Sequence, residues 1–393
     1  MSATIPRRRL ALILGTIAAV GPFTTDMYLP AFPAVGADLG ATPGAVQGTL
    51  VTYFLALALG QLAYGPLSDR FGRRGPLLGG FAVYTLASIG CALAQDIGAL
   101  SALRFLQALG GCSGMVIARA VVRDVAEGAE NVRLMASLML VMGVAPVIAP
   151  TIGGLMLGLT GWRGIFLVLA LYGVLVIALI AFALRETLPP SRRRRDSPVA
   201  TLALFGALLR ERHFLGHALA TALPIAGMFA YIIGSPYVFM ELFGISPQLY
   251  GVIFGLNAAG IVGMSQVISR LAHRGPPERL LRGTAWVPVM AGAVVVLGAL
   301  LGSFWVIAAG LFGYVASIGA VVPLAVAAAM ARQGHAAGSA SALIGVMQFG
   351  LGGVLGAVIG AVHDGTALPM AASVAACGLG GLLALRVLAP RAA

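Results

Sequence analysis

Lysine is missing from this 393-residue chain: all 25 of its basic residues are arginine, set against 13 acids. Without lysine there is no phosphate-binding loop of the GxxxxGK[ST] kind, so ATP does not drive this chain through that device. Charge of either sign is scarce, at 10% of residues, where a soluble globular domain carries about 25%. Cysteine is scarcer still. Cys91, Cys112 and Cys377 form an odd set inside apolar runs, which excludes a disulfide scaffold. Among the five histidines (213, 217, 273, 335 and 363), His213 and His217 alone have metal-ligand spacing, and no third ligand lies near them in the sequence. No metal and no cofactor are expected. Disorder would need low hydrophobicity and high charge, and this composition is the reverse.

What fills the chain instead is hydrocarbon. Hydrophobic residues make up 59% and the mean hydropathy is +0.97. A membrane helix needs about 20 apolar residues, so the length accommodates roughly 12 spans with their loops. Apolar runs and breakers predict an all-α membrane protein with helices near 10–33, 45–66, 76–95, 99–122, 134–159 and 163–184. A second set is predicted near 214–240, 249–269, 283–301, 304–329, 337–361 and 368–386.

The arginines orient these spans. With the N-terminus in the cytoplasm, 22 of the 25 fall in cytoplasmic segments, Arg163 lies in an outer loop, and Arg104 and Arg119 lie within a helix. Such asymmetry is what the positive-inside rule demands. Both termini are therefore expected in the cytoplasm of a cell whose inner (plasma) membrane holds the protein. The first apolar run carries Asp26 and continues to Pro30 and Pro33 with no small-residue cleavage site, so it reads as a span and not as a signal peptide. The basic clusters lack interleaved aromatics, so nucleic acid is not an expected partner; lipid is. Nothing in the sequence argues for a second copy, and a monomer is expected.

The longest polar interruption, RETLPPSRRRRDSP (185–198), divides the chain into residues 1–185, a connector at 186–213, and residues 214–393. A repeat at an offset of 200 residues supports duplication. SDRFGRRGP (68–76) overlays ISRLAHRGP (268–276), with Arg70 on Arg270 and Arg74 on Arg274, and Gly60 and Gly260 precede them in register. The second copy has Ser269 for Asp69 and Ala272 for Gly72. Intramembrane charge is confined to the first half, so the chemistry is expected there.

A charge at mid-helix costs about 2.5–3.5 kcal/mol on insertion scales. Asp26 lies about 24 Å along the first helix from its cytoplasmic end, and Arg104 about 8 Å from the outer end of the fourth. Both therefore sit at a similar depth in the outer half of a core about 30 Å thick, and they are expected to share one cavity, directly or through water. A protonation switch and a static Asp–Arg pair are both compatible with this. Pro22, Thr24 and Thr25 make a polar, deformable patch below Asp26. Arg119, one turn above Arg123, reads either as snorkelling to the surface or as a gate or substrate contact. Helix 5 reads VMGVAPVIAPTIGG, where Gly143, Pro146, Pro150, Gly153 and Gly154 favour close packing and kinking. That suits a tight contact, a hinge against the other half, or both. Tyr28, Tyr53, Arg104, Gln107, Phe229, Tyr231, Tyr237, Asn257 and Gln348 are candidate cargo contacts in an otherwise apolar cavity, although for any single aromatic or amide among them packing or interface anchoring is the stronger explanation.

These motifs resemble a known family. GPLSDRFGRR (65–74) is similar to the cytoplasmic signature of the major facilitator superfamily, LRFLQALGG (103–111) to its helix 4 arginine motif, and the helix 5 segment to that of drug:proton antiporters. TTDMYLPAFP, the stretch from Ala118 to Asp124, and RETLPP (185–190) resemble the Bcr/CflA subgroup of bicyclomycin and chloramphenicol exporters. The resemblance implies two pseudo-symmetric six-helix halves, with Asp26 as the proton-coupling carboxylate and Arg104 as its coupled cation. It also implies a cytoplasmic gate containing Asp69, Arg70, Arg73, Arg119, Arg123 and Asp124, with Asp69 facing the start of helix 11 near Ala337. Relatives with a second acid in helix 1 have no counterpart to it here, which favours neutral or zwitterionic cargo. The implied function is proton-coupled efflux of small amphipathic drugs. Three rivals are a carrier of an endogenous metabolite, an intramembrane enzyme and a channel. An enzyme would need an acid–base pair, yet Asp26 is alone; a channel would need a ring of like charges or carbonyls.

Overall fold

The structure is a computed structural model that describes residues 7–126, 128–193, 198–271, 277–333, 337–362 and 364–389. Among these residues there are helices and connections but no strand. The first membrane crossing is not the single helix that its hydropathy predicts. It runs as α1 (Arg7–Ala18) and α2 (Val20–Asp26), then a 3-10 turn (Leu29–Ala31), then α3 (Phe32–Leu39). Pro30 and Pro33 cannot donate to the helix ladder, and regular pairing lapses directly after Asp26. The broken backbone is covered on all sides: Asp26, Met27, Tyr28, Leu29 and Ala31 are all buried, as a membrane interior requires.

Three regular helices follow, α4 (Pro43–Phe71), α5 (Arg74–Leu93) and α6 (Ile97–Val125). The sequence marks two of their starts. Thr42 accepts the Ala45 N–H at 3.3 Å and Asp96 the Ala99 N–H at 2.8 Å, each satisfying a donor that the first helical turn leaves open. Next comes α7 (Gly128–Ala183), whose apolar part alone covers 51 residues. At 1.5 Å per residue that is about 76 Å, more than twice a bilayer core. Gly161 resolves this, with φ 70° and ψ −179°, a conformation that only glycine adopts readily. The chain crosses once on each side of it, at the break the sequence predicts.

In the connector lies α8 (Pro198–Arg210), and the second half contains α9 (Arg212–Pro236), extended by a π-helical turn (Tyr237–Leu242), and α10 (Pro247–Leu271). After these come α11 (Pro277–Thr284), α12 (Val287–Leu300), α13 (Phe304–Met330), α14 (Ala337–Ala361) and α15 (Leu368–Leu388). The ninth crossing begins earlier than predicted and is interrupted ahead of Pro288, where α11 gives way to α12. Counting α7 as two, the eleven long apolar runs among the described residues make twelve spans.

Packing follows the halves. Helices α4, α5, α6 and α7 contact one another, as do α9, α10, α12, α13 and α15. Two seams join the halves, α4 against α14 and α7 against α10. Lipid is the outer solvent: Leu86, Leu93, Leu159 and Trp305 point outward, while the polar side chains Thr24, Gln107, Thr221 and Asn257 are buried. Phe205 and Leu208 of α8 tuck against Phe214, Leu343 and Ile344, tying the connector to the second half. Arg194, Arg195, His273, Arg274, Gly275, Pro276, His335, His363 and Arg391 lie outside the described residues, and with them the end of the second repeat copy.

Candidate functional site

Asp26 is the last residue of α2 and is 4% exposed. Its Oδ1 accepts the Thr25 hydroxyl at 2.8 Å, and among the described residues no cation forms an ion pair with it. Tyr53, Tyr231 and Tyr250 are buried in the same core as Met27 and Tyr28, which follow it, and the latter two belong to the second half. Tyr231 accepts the Asn257 amide at 2.9 Å and stacks on Phe254, while Tyr250 shares a hydrogen bond with Ser235.

Arg104, on α6, is wholly buried and does not meet Asp26. Its Nη1 donates to the Thr24 carbonyl at 3.2 Å and to Gln107 Oε1 at 2.6 Å. The Gln107 amide continues to Ser88 at 2.7 Å, and Thr24 shares a hydrogen bond with Tyr84 at 2.8 Å. The guanidinium lies over Tyr53 and Tyr28, 4.3 and 4.8 Å from their centroids, with Phe166 at 5.7 Å. Attraction to the ring faces is what offsets burial of this charge. Arg104 thus makes no direct ion pair with Asp26 and instead reaches the backbone two residues before it.

The proposed cargo contacts divide in the same way. Tyr28, Tyr53, Arg104 and Gln107 form a closed cluster within the first half, where Tyr28 also bonds Thr49 at 3.1 Å. Phe229, Tyr231 and Asn257 instead face the junction of the halves, and Gln348 reaches Thr221 at 3.4 Å. Phe229 stands between two rings that sequence reasoning missed. Its centroid is 4.4 Å from Phe54 on α4 and 5.3 Å from Phe349 on α14. No local signal could find this trio, because its members come from three helices.

At the arginine-rich end of the first half, Arg73 gathers the chain. Its Nε and Nη2 clasp Asp124 at 2.7 and 3.2 Å, and its Nη1 donates to Asp69 at 2.5 Å and Ser68 at 2.8 Å. Asp69 pairs with Arg73 four residues on, and among the described residues no hydrogen bond joins it to the start of α14. Glu186 completes the cluster by accepting the backbone N–H groups of Arg73, Arg74, Thr187 and Leu188 at 2.8–3.2 Å. Partial burial pushes its pKa up, but these four donors outweigh that and hold the carboxyl below its ordinary value. Gly72, at φ 92°, brings the backbone so close that a Cβ would strike Glu186. Glu186 was not singled out from sequence, although an acid directly after the sixth span was a visible signal. The other expected gate residues stand apart: Arg70 lies over Phe71, Arg119 donates to the Met115 carbonyl, and Arg123 approaches Gly338.

Of the helix 5 residues, Gly143, Pro150 and Gly154 meet α10, whereas Gly153 packs on the first span. A Cβ on Gly153 would clash with the Met27 carbonyl, and Gly154 lies against Pro247. From the other side, Gly251 faces the Pro150 carbonyl and Gly255 that of Val147, with Cβ room of only 3.0 and 2.7 Å. This stretch is a backbone-to-backbone contact between halves.

Comparison with known proteins agrees with the architecture. The sequence pattern of the Major Facilitator Superfamily matches residues 14–357. An uncharacterized MFS-type transporter of Bacillus subtilis, YdgK, is 39% identical over 93% of this chain and 92% of its own. A bicyclomycin resistance protein homolog of Haemophilus influenzae is 31% identical over 97% of this chain and 96% of its own. Among solved structures, a D-xylose-proton symporter superposes with a TM-score of 0.73 over 96% of both chains at 14% identity, a likeness of fold alone.

Proposed function

Because this chain belongs to the Major Facilitator Superfamily, we propose that it exports small, amphipathic, uncharged drugs in exchange for protons by alternating access about the two inter-half seams. It is a multi-pass membrane transporter and not an enzyme, and its likeness to a bicyclomycin resistance protein homolog supports drug efflux. Proton coupling, cargo and orientation are our reading. The arginine distribution supports a bacterial inner membrane with both termini in the cytoplasm.

Asp26 carries the proposal. A buried carboxylate with no cation must find a proton or water. It stands where the first span breaks, beside a core that Tyr231 and Tyr250 of the opposite half help to fill, so rocking the halves changes what surrounds it. Arg104 has a different task in this reading: it holds the Thr24 carbonyl and so fixes the break from behind. Phe54, Phe229 and Phe349 gather where α4, α9 and α14 meet, with an amide at Asn257 on Tyr231 and another at Gln348 on Thr221, a set of rings and amides suited to neutral amphipathic molecules. Asp69, Arg73 and Asp124 are proposed to steady one state at the cytoplasmic gate, and the α7–α10 seam to serve as the pivot.

Inside-out vesicles with an imposed proton gradient test this. Bicyclomycin, chloramphenicol, florfenicol, a sulfonamide and a cationic dye are each added while lumenal pH is followed. Wild type is expected to release protons with a neutral drug, and Asp26→Asn to give only background from folded protein. Equal uphill transport by the mutant would end the coupling assignment. Silence of wild type across the panel would reassign the chain to a metabolite carrier.

A further inference from the structure

His213 and His217 read from sequence as solvated histidines, but they line a cavity of about 370 Å³ at the arginine-rich end of the second half. It is walled by Arg212, His213 and His217 from α9, Glu278 and Arg282 from α11, and Arg332 after α13. Three guanidiniums and one carboxylate leave a surplus of two positive charges on its walls. Arg282 donates to the Ala389 carbonyl at 2.9 Å. No hydrogen bond or salt bridge engages Arg212 or Arg332 among the described residues. Glu211, just before α9, is occupied by the Gln333 amide at 2.6 Å. His217 is 4% exposed and its Nδ1 donates to the His213 carbonyl at 2.8 Å, while His213 Nδ1 is buried without a partner. No group of three potential metal ligands occurs among the described residues, so a cation is not what this cavity suits.

The first half shows how such an end is neutralised from within. There Arg74 donates to the Ala181 carbonyl at 2.6 Å, as Arg282 does to Ala389. Beside that contact, however, stand Glu186, Asp124 and Asp69. The second half repeats the arginine-to-carbonyl contact and leaves a cavity where the first half has carboxylates. We propose that this cavity binds a phosphate group, supplied by an anionic phospholipid headgroup or by a soluble phosphate, whose oxygens take the donors of Arg212 and Arg332. The cavity lies where the spans starting at Arg212 and Glu278 and the span ending at Leu388 meet the membrane surface, the level at which basic pockets between helices meet lipid headgroups.

The test is independent of transport. Full-length protein in neutral detergent is titrated with phosphatidylglycerol, with phosphatidylcholine of the same acyl chains, and with inorganic phosphate, and occupancy is read by native mass spectrometry and thermal midpoint. Retention of phosphatidylglycerol over phosphatidylcholine is expected, with half-occupancy shifted about tenfold, the worth of one charge-assisted hydrogen bond, in R212Q/R332Q. Glu278→Gln, which removes the one acid, is expected to tighten binding; this opposite sign keeps the test intact if the double variant folds poorly. Arg185→Gln, an exposed arginine outside the cavity, is expected to leave binding unchanged. Saturable inorganic phosphate without lipid preference would identify a soluble source. Equal retention of both lipids with no response to phosphate, no response to R212Q/R332Q, or an equal loss in Arg185→Gln would overturn the proposal.

Discussion

The two arginine-rich ends of this molecule share a repeat but differ in how their charges are satisfied. In the first half, Arg73 is 6% exposed and held by Asp69 and Asp124, while Glu186 collects four backbone N–H groups beside it. In the second, Arg282 reaches a carbonyl, and Arg212 and Arg332 line an open cavity. A duplicated backbone has thus kept its helix ends while its electrostatics diverged. One end is a closed clasp that binds loop, helix ends and connector together; the other has the chemistry of a receptor for an anion.

The sharpest test of that contrast is to remove one arginine from each end. Arg73→Ala would leave Asp124, itself mostly buried, without its cation, and breaking such a pair costs about 3–5 kcal/mol. Arg282→Ala forfeits one hydrogen bond at a solvated cavity, about 1 kcal/mol. Thermal unfolding in detergent should therefore show a markedly larger drop for Arg73→Ala. Equal drops would mean that the clasp is no more integral to its half than the cavity wall is to the other.

Much of the architecture was legible because hydropathy and breakers are local. The twelve crossings and the turn between 159 and 163 follow from apolar runs that a bilayer limits to about 20 residues. Depth was legible too, since rise per residue places Asp26 and Arg104 at a similar level. Azimuth was not. Nothing in TTDMYLP tells which groups the carboxylate meets once the helix breaks after Asp26, or that Arg104 bonds the Thr24 carbonyl instead of it. The Phe54–Phe229–Phe349 trio lay beyond reach for a related reason, because contact between helices distant in sequence depends on tilts that no motif encodes. Glu186 could have been found: an acid following the sixth span and preceding two prolines is free of the helix and near its neighbours' ends.

Glu186→Gln sharpens the comparison on the pH axis. The native pKa lies below the ordinary value of about 4.3, so the unfolded chain takes up its proton first as pH falls. The stabilisation is present above about 4.3 and is lost as pH drops through the lower folded value. Replacing the carboxylate by an amide keeps an acceptor but removes the charge. With solvent screening the effect is expected at about 1 kcal/mol or less. Unfolding midpoints of wild type and Glu186→Gln should therefore differ near pH 7 and converge in acid. A constant gap from pH 7 down to pH 3 would show that the side chain matters by shape and not by charge.

The smallest effect is expected at Ser269, which occupies the repeat position of Asp69. If the first half owes its clasp to that aspartate alone, Ser269→Asp should stabilise the second half. Asp69 works, however, because Arg73 follows four residues later and bonds it across one helical turn, whereas position 273 is histidine. Ser269 lies at the exposed end of α10, where a new carboxylate would meet mostly water. Stability, read from the thermal midpoint, should change by no more than about 0.5 kcal/mol, as for surface substitutions in general. A gain approaching the loss from Arg73→Ala would place the difference between the halves in a single residue. The expected near-silence places it instead in the whole set of partners, Arg73, Asp124 and Glu186, that the second copy does not repeat.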